Sequence, residues 1–469
     1  MSEIVSDPLA DGGIAGFAAR FRAGTQTSEA LTRAFLDRID ALDGRLKAWE
    51  HVARDSALAT ARAMDALIRA GVDLGPLMGV PVGVKDLLSV DGMPVTAGSN
   101  LPVTEVIGTE GPVVQSLRKA GCVILGKLRT VEFALGITGV SNARGCPVNP
   151  WDADVERIPG GSSSGSAVAT AAGMCAFAIG TDTGGSVRVP AAMNGIFGLK
   201  TSTGRLSIAG CFPLAPHLDT VGLLTRSAAD AAVIWAVITG TAPVEPAALD
   251  GLRLGRPTIH DADPLAPVIA AQLGRARADL TAAGARILPV DLPEATERAD
   301  YFPRVLPACL VATLVGVMGE PRAREGRALM DPVIAKRFDA GFEVPGWLLL
   351  QLEARRRASI ARVRERLDGI DALMLPTTPD IAIAIADLDD PETGMRMAMG
   401  MTRYTQTGNY LDQCGISIPM PREGSDLPGG LQIICAHGQD ERALAIGLAL
   451  EAIWGRPPLP DMSGFVALD

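Results

Sequence analysis

Apolar residues recur at helical spacing through Leu31, Phe35, Ile39 and Leu42, behind a Thr27-Ser28 cap and ahead of Gly44. This predicts an amphipathic helix with a glycine stop. A second helical stretch covers about 55–70 and ends at Gly71; Gly79 to Val84 then turns extended, with Val80, Val82 and Val84 on one face. Lys85 emerges on the opposite face, beside Pro81 and Gly83. The segment 116–120 closes another helix and 122–125 reads as a strand. Helix and strand keep alternating to about Thr239, the pattern of a sheet covered on both faces. Beyond Pro243 come a strand over 252–257, a helix over 266–283 and a strand over 286–290. Two further strands are predicted at 372–375 and 431–435, the second feeding a helix that Asp440 opens and that runs through Leu450. The pattern is weakest over 300–425.

No repeat and no polar linker divides the 469 residues, so one α/β domain over 1–469 is expected, with N-terminal helices in 1–75, a core at 76–240 and a variable region at 300–425. Composition sharpens this: 48% of residues are hydrophobic but only 4% aromatic, which favours close helix-on-sheet packing over an aromatic-rich β-sandwich. A net charge of -10, with no basic run longer than Arg355 to Arg357, argues against binding nucleic acid. The start, MSEIVSDPLADGG, has no cationic stretch leading into an apolar one, and apolar runs such as Cys309 to Met318 fall short of the roughly 20 residues a bilayer span takes. A cytoplasmic protein without membrane contact is expected. Seven cysteines without a C-x-x-C pair read as reduced thiols, and four scattered histidines without H-E-x-x-H give no reason to expect a metal or any other cofactor.

Chemistry concentrates between Gly160 and Ala191. TDTGGSVRVP (181–190) follows the apolar run Cys175 to Ile179. Adjacent glycines at 184 and 185 can take positive φ and turn successive N–H groups into one concavity. With Ser186 at its end, that turn reads as a nucleophile carrying its own oxyanion hole, as a phosphate-cradling turn, or as a plain strand-to-helix turn. PGGSSSG (159–165) matches G-x-S-x-G with Ser163 central, but an elbow needs a strand before it and VERIP (155–159) is polar and ends in proline. Lys85, in VPVGVKDLL, is either a desolvated base or half of a surface pair with Asp86. Desolvation over ~3 pH units costs on the order of 4 kcal/mol, which a structural role rarely justifies.

Taken together, these residues resemble the amidase signature family. GGSSSG, the alanine-rich stretch behind it and GTDTGGSVRVPA match its defining segment, and PVGVKD, GCVILGK, EFALG, NPWD, LDTVGLLTRSAADAA and DALMLPTTP extend the likeness over most of the chain. The resemblance implies a single α/β/α domain with a central mixed sheet, 76–240 being the signature core. It implies Ser186 as nucleophile, Lys85 as general base, and Ser162, after a cis non-proline peptide bond, as the bridging serine. It also implies the N–H groups of Thr183, Gly184, Gly185 and Ser186 as oxyanion donors, with Asp182, Arg188 and Ser163 in support. Ser164, where many relatives have glycine, and KTSTG (200–204), in place of K-P-T-x-G, depart from the pattern without touching a catalytic group.

The same resemblance implies acyl transfer through an acyl-enzyme and no cofactor. Relatives act on aliphatic and aryl amides, ureas, carbamates, fatty amides and glutamine, and many dimerise, so a homodimer is an expectation by analogy. A stand-alone amidase for a small-molecule amide or carbamate is expected, with urethanase or esterase side activity. Its alternatives are an allophanate- or biuret-pathway type of hydrolase, a tRNA amidotransferase A-like subunit, and an esterase of another fold using Ser163 and a histidine. Leu135, Gly136, Ile137, Thr138, Thr377, Thr378 and the insertion 394–410, with Met399 and Tyr404, are expected to wall the pocket. The alternating Met395, Met397, Met399 and Met401 read equally as core or as an adaptable apolar wall; in the second case bulky amides, anilides or urethanes would suit better than a small charged acid.

Overall fold

A computed structural model describes residues 6–390, 393–394, 397 and 400–466. Its strands are β1 (Trp49–Val52), β2 (Pro81–Lys85), β3 (Val123–Leu128), β4 (Phe177–Asp182), β5 (Phe197–Lys200), β6 (Thr220–Thr225), β7 (Arg253–Pro257), β8 (Arg286–Val290), β9 (Ala372–Pro376), β10 (Cys414–Pro419) and β11 (Gly430–Cys435). They form one 11-stranded sheet in the order β1-β3-β2-β4-β6-β5-β10-β11-β9-β7-β8. The sheet is mixed: β2 runs parallel to β3 and β4, and β7 parallel to β8 and β9, while the other pairs are antiparallel. This is the α/β class expected from the alternation of helix and strand.

Strands β2, β3 and β4 are buried at every position, which is why they read as near-continuous apolar runs rather than as clean alternation. From β2 the chain steps outward to β3 and then returns past β2 to β4, so the crossover direction reverses there. Such a reversal opens a crevice beyond the carboxyl ends of parallel strands, where α/β proteins place their ligands. Lys85 ends β2 and Asp182 ends β4, at that crevice. The helix Ser164–Ala171 lies across β2, β3, β4 and β6. Its small side chains permit this approach: a Cβ on Gly165 would stand 2.2 Å from the Ala48 carbonyl oxygen and 2.6 Å from the Arg129 nitrogen.

The structure departs from the sequence pattern at three points. The helix Ser28–Leu46 is capped by Thr27 as predicted but runs through Gly44. Leu46 completes its buried stripe, and the stop comes at Lys47 (φ 53°), whose N–H reaches the Asp43 carbonyl at 2.8 Å. The region of weakest pattern holds long helices, Arg298–Met318, Pro332–Phe342 and Gly346–Arg366. Pro303 and Pro307 inside the first of them mask its helical reading. Cys309 to Met318 is only the second half of that helix, and Pro293–Met318, at 26 residues, is long and apolar enough to cross a membrane by length and composition. Here it packs along Pro332–Phe342 and buries Tyr301, Phe302, Val305, Leu310 and Leu314 within the protein.

The two helical glycines Gly165 and Gly44 should respond to alanine with opposite signs. Gly165→Ala drives a methyl into backbone and should lower stability by about 1–3 kcal/mol or more. Gly44→Ala meets nothing within 4 Å and should raise it by about 0.5–1 kcal/mol. Urea unfolding of the two variants checks both signs.

Candidate active site

The site is assembled where β2 and β4 end. Lys85 is fully buried, and its Nζ donates to Ser162 Oγ and to Thr181 Oγ1, each at 2.8 Å. Burial drives its pKa from 10.5 down to about 7, against the opposing pull of Asp182, Cys211 and Asp219. The neighbouring Asp86 does not pair with it. Successive strand residues point to opposite faces, and Asp86 instead accepts from Lys127 Nζ at 2.7 Å, which removes the surface-pair alternative.

The peptide bond Gly161–Ser162 is cis. The Ser162 carbonyl accepts from Thr130 Oγ1 at 3.0 Å and from the Val131 N–H at 3.2 Å, while the Gly160 and Gly161 amides donate to the carbonyls of Thr138 and Ile137. Ser163 ties the two serine turns together. Its N–H donates to the Ser186 carbonyl at 3.2 Å, and its hydroxyl bridges the Thr181 carbonyl and N–H at 3.2 and 3.3 Å. That hydroxyl is fully buried and engaged, and no strand precedes it, so the elbow reading with Ser163 as nucleophile does not hold. Three of the four histidines are engaged elsewhere, His217 with Tyr301 and Glu353, His260 with Asp263 and His437 with Asp412, and the fourth, His51, lies on the edge strand β1.

Ser186 sits in the turn between β4 and the helix Arg188–Asn194, at the wall of a cavity of about 90 Å³. Gly185 (φ 128°) has to be glycine, because a Cβ there would come 2.2 Å from Thr405 Oγ1. The loop is cross-braced from below. Asp182 accepts from the Gly185 N–H at 2.8 Å, the Val187 N–H at 3.2 Å and Asn409 Nδ2 at 2.9 Å. Arg188 places all five of its donors: Nε and one Nη2 hydrogen on Asp182, the others on Asn409 Oδ1, Gln432 Oε1 and the Thr405 carbonyl. Both side chains are fully buried. Burial pushes the Asp182 carboxyl up, but Arg188, Lys200 and Asn409 outweigh it and hold the group well below the usual carboxylate range. Thr183 and Gly184 line the cavity with Ser186, whereas the Gly185 N–H, one of the four expected oxyanion donors, is engaged by Asp182 Oδ1 at 2.8 Å.

Of the expected pocket wall, Leu135, Gly136 and Ile137 line this cavity. Thr138 instead holds the Gly160 amide. Thr377 and Thr378 follow the end of β9 and are engaged there: the Thr377 N–H donates to the Gly430 carbonyl, its hydroxyl meets Ser417 Oγ at 2.8 Å, and Thr378 Oγ1 donates to the Asp380 carbonyl. Tyr404 is buried edge-on against His260. Met395 and Met399 lie outside the described residues, and Met397 and Met401 are core, packed with Ile158, Val189 and Met193. Met397 and Met401 thus follow the core alternative. The expected insertion 394–410 contributes Thr402 and Gln406 to the wall, and wall residues without an expectation from the sequence are Ala134, Leu214, Leu306 and Arg337. Thr181 stands inside the TDTGGS turn, where its closeness to the serines could have marked it. Arg337 carries no local signal, because it lies on a helix in the region of weakest pattern.

Known proteins share this chain's sequence pattern and fold. The amidase family model matches residues 30–444. The chain is 36% identical to the 2-amino-5-chloromuconic acid deaminase of Comamonas testosteroni, over 94% of this chain and 96% of that protein. It is 34% identical to the glutamyl-tRNA(Gln) amidotransferase A subunit of Acidobacterium capsulatum, over 92% of this chain and 97% of that protein. Among solved structures, an amidase superposes with a TM-score of 0.86 at 30% identity, covering 94% of this chain and all of that one. The peptide amidase of Stenotrophomonas maltophilia does so with a TM-score of 0.78 at 28% identity, covering 98% of this chain and 100% of that one. With its fold and most of its length matched in this way, the chain belongs to the amidase family.

Proposed function

We propose that this chain hydrolyses the C–N bond of a small amide through an acyl-enzyme on Ser186, with Lys85 as base and Ser162 as the relay between them. The observation that carries the reading is a fully buried lysine bonded to Ser162 beneath the loop that presents Ser186. Burial lowers the pKa of this lysine to about 7, so that a large share is neutral at physiological pH. A neutral amine keeps one N–H for Thr181 and turns its lone pair to the Ser162 hydroxyl. Ser162 passes its proton to Lys85 and takes the one leaving Ser186 Oγ, whose oxygen attacks the acyl carbon. The oxyanion forms against the N–H groups of Thr183, Gly184 and Ser186, donors worth roughly 3 kcal/mol each where measured. The proton returns through Ser162 to the departing nitrogen as the C–N bond breaks. Water then repeats the path and frees the acid. Asp182 and Arg188 act as positioning residues, keeping the loop rigid without touching substrate.

The likeness to an enzyme named for deaminating an acid favours a stand-alone hydrolase of small amides. Likeness at 34% identity to an amidotransferase component supports a second reading, a glutaminase working within a larger assembly. Glutamine turnover that appears only with added partner proteins would favour it.

Lys85→Ala should lower kcat/KM by about 10²–10⁴ and Ser186→Ala by at least as much, with single-turnover amide hydrolysis as the measure. Because only neutral Lys85 can accept a proton, kcat/KM should rise with pH to a plateau above about 7. Stability carries the matching sign. Between about 7 and 10.5 the unfolded lysine holds a proton that the folded one lacks, so stability should rise with pH across that window. Lys85→Met should abolish this component in urea unfolding at pH 7 and pH 9. Arg188→Met strands a buried carboxylate and should cost about 3–5 kcal/mol, while slowing labelling of Ser186 by a sulfonyl fluoride.

A further inference from the structure

Among the described residues, Arg337 is the one charged side chain on the wall of the cavity that holds Ser186. It rises from the helix Pro332–Phe342, and its Nη1 donates to the Leu135 carbonyl at 3.0 Å. No carboxylate among the described residues pairs with it, in contrast to Arg188, whose five donors are all engaged. Desolvation alone shifts its pKa, downward, with no acid close enough to oppose the change. A guanidinium in that position has donors left over and a charge unmatched by the protein.

Its placement is rigid. Glu132 accepts from Ser99 Oγ at 2.5 Å and from the Asp331 N–H at 2.7 Å, and Asp331 in turn caps the Arg337 helix through the Val333 N–H at 2.8 Å. The wall segment 132–135 and the helix are thus clamped at Glu132 and again at Leu135. The rest of the wall is apolar or uncharged, including Leu214, Leu306, Thr402 and Gln406. At about 90 Å³ the cavity suits a small acyl group.

Resting on the serine hydrolase reading, we propose that Arg337 binds a carboxylate at the far end of the acyl chain, so that the preferred substrates are short ω-amido acids without an ammonium group. A planar carboxylate matches the guanidinium fork, and the cavity wall offers no anion to balance a substrate ammonium. The mechanism is unchanged: the carboxylate is held while Ser186 attacks the amide carbon at the other end. Neutral amides would leave the arginine unpaired, and amino-acid amides such as glutamine would bring an unmatched cation.

The test compares glutaric monoamide, pentanamide and glutamine on the wild-type chain and on Arg337→Met and Arg337→Lys, alongside sulfonyl fluoride labelling of Ser186 with and without glutarate. Wild type should favour the monoamide over both others by about tenfold or more in kcat/KM. Arg337→Met should lose that preference through KM, Arg337→Lys should restore part of it, and glutarate should protect Ser186 in wild type but not in Arg337→Met. Labelling of Arg337→Met at the wild-type rate shows that the variant is folded; should it fail to fold, Arg337→Lys and the wild-type panel decide. Equal turnover of pentanamide or glutamine, or equal glutarate protection in both proteins, overturns the carboxylate assignment and leaves the serine reading standing. Absence of Ser186 labelling in wild type overturns the serine reading instead.

Discussion

Everything at this site depends on keeping an amine out of water. Bringing Lys85 from 10.5 to about 7 costs the fold on the order of 5 kcal/mol, and that cost is met by the buried sheet around it. Strands β2, β3 and β4 are buried at every position, so water reaches the Nζ from no side, and Ser162 and Thr181 provide its hydrogen bonds. The same burial dictates the surroundings. The helix above must be made of small residues to lie close enough, and the loop above must be held by buried groups because no solvent supports it.

Asp182 and Arg188 solve the second problem. A buried ion pair is weak evidence for stability, since desolvation of two charges can exceed their attraction. Here every donor of Arg188 is placed, and Asp182 also accepts backbone N–H groups of the loop it supports. The pair therefore fixes geometry: it holds the Gly185 amide from below, while Thr183, Gly184 and Ser186 line the cavity. Arg337 lines the same cavity but, unlike Arg188, has no carboxylate partner among the described residues.

Several elements were legible in the residues themselves. Strand β8 spans 286–290 as its pattern predicts, and the helix after Thr27 begins where its cap says. Gly44 misled because an exposed helix position tolerates glycine at a modest cost when a buried leucine beyond it rewards another turn. The long helices after 298 were hidden by internal prolines and by polar residues on their outer faces.

Sequence by itself determined the family and pointed to the residues of the proposed chemistry, because adjacent glycines, serines and a lysine in an apolar run are demands of local backbone geometry and local desolvation, and both can be read from neighbours in the chain. Only the tertiary structure decided the pocket. Thr377 and Tyr404 look like wall residues along the chain but are consumed by the sheet and the core. Arg337 and Gln406 come from segments far from Ser186 in sequence and meet it only through packing. Whether a side chain faces a cavity depends on what covers its other sides, and that is a property of the folded whole.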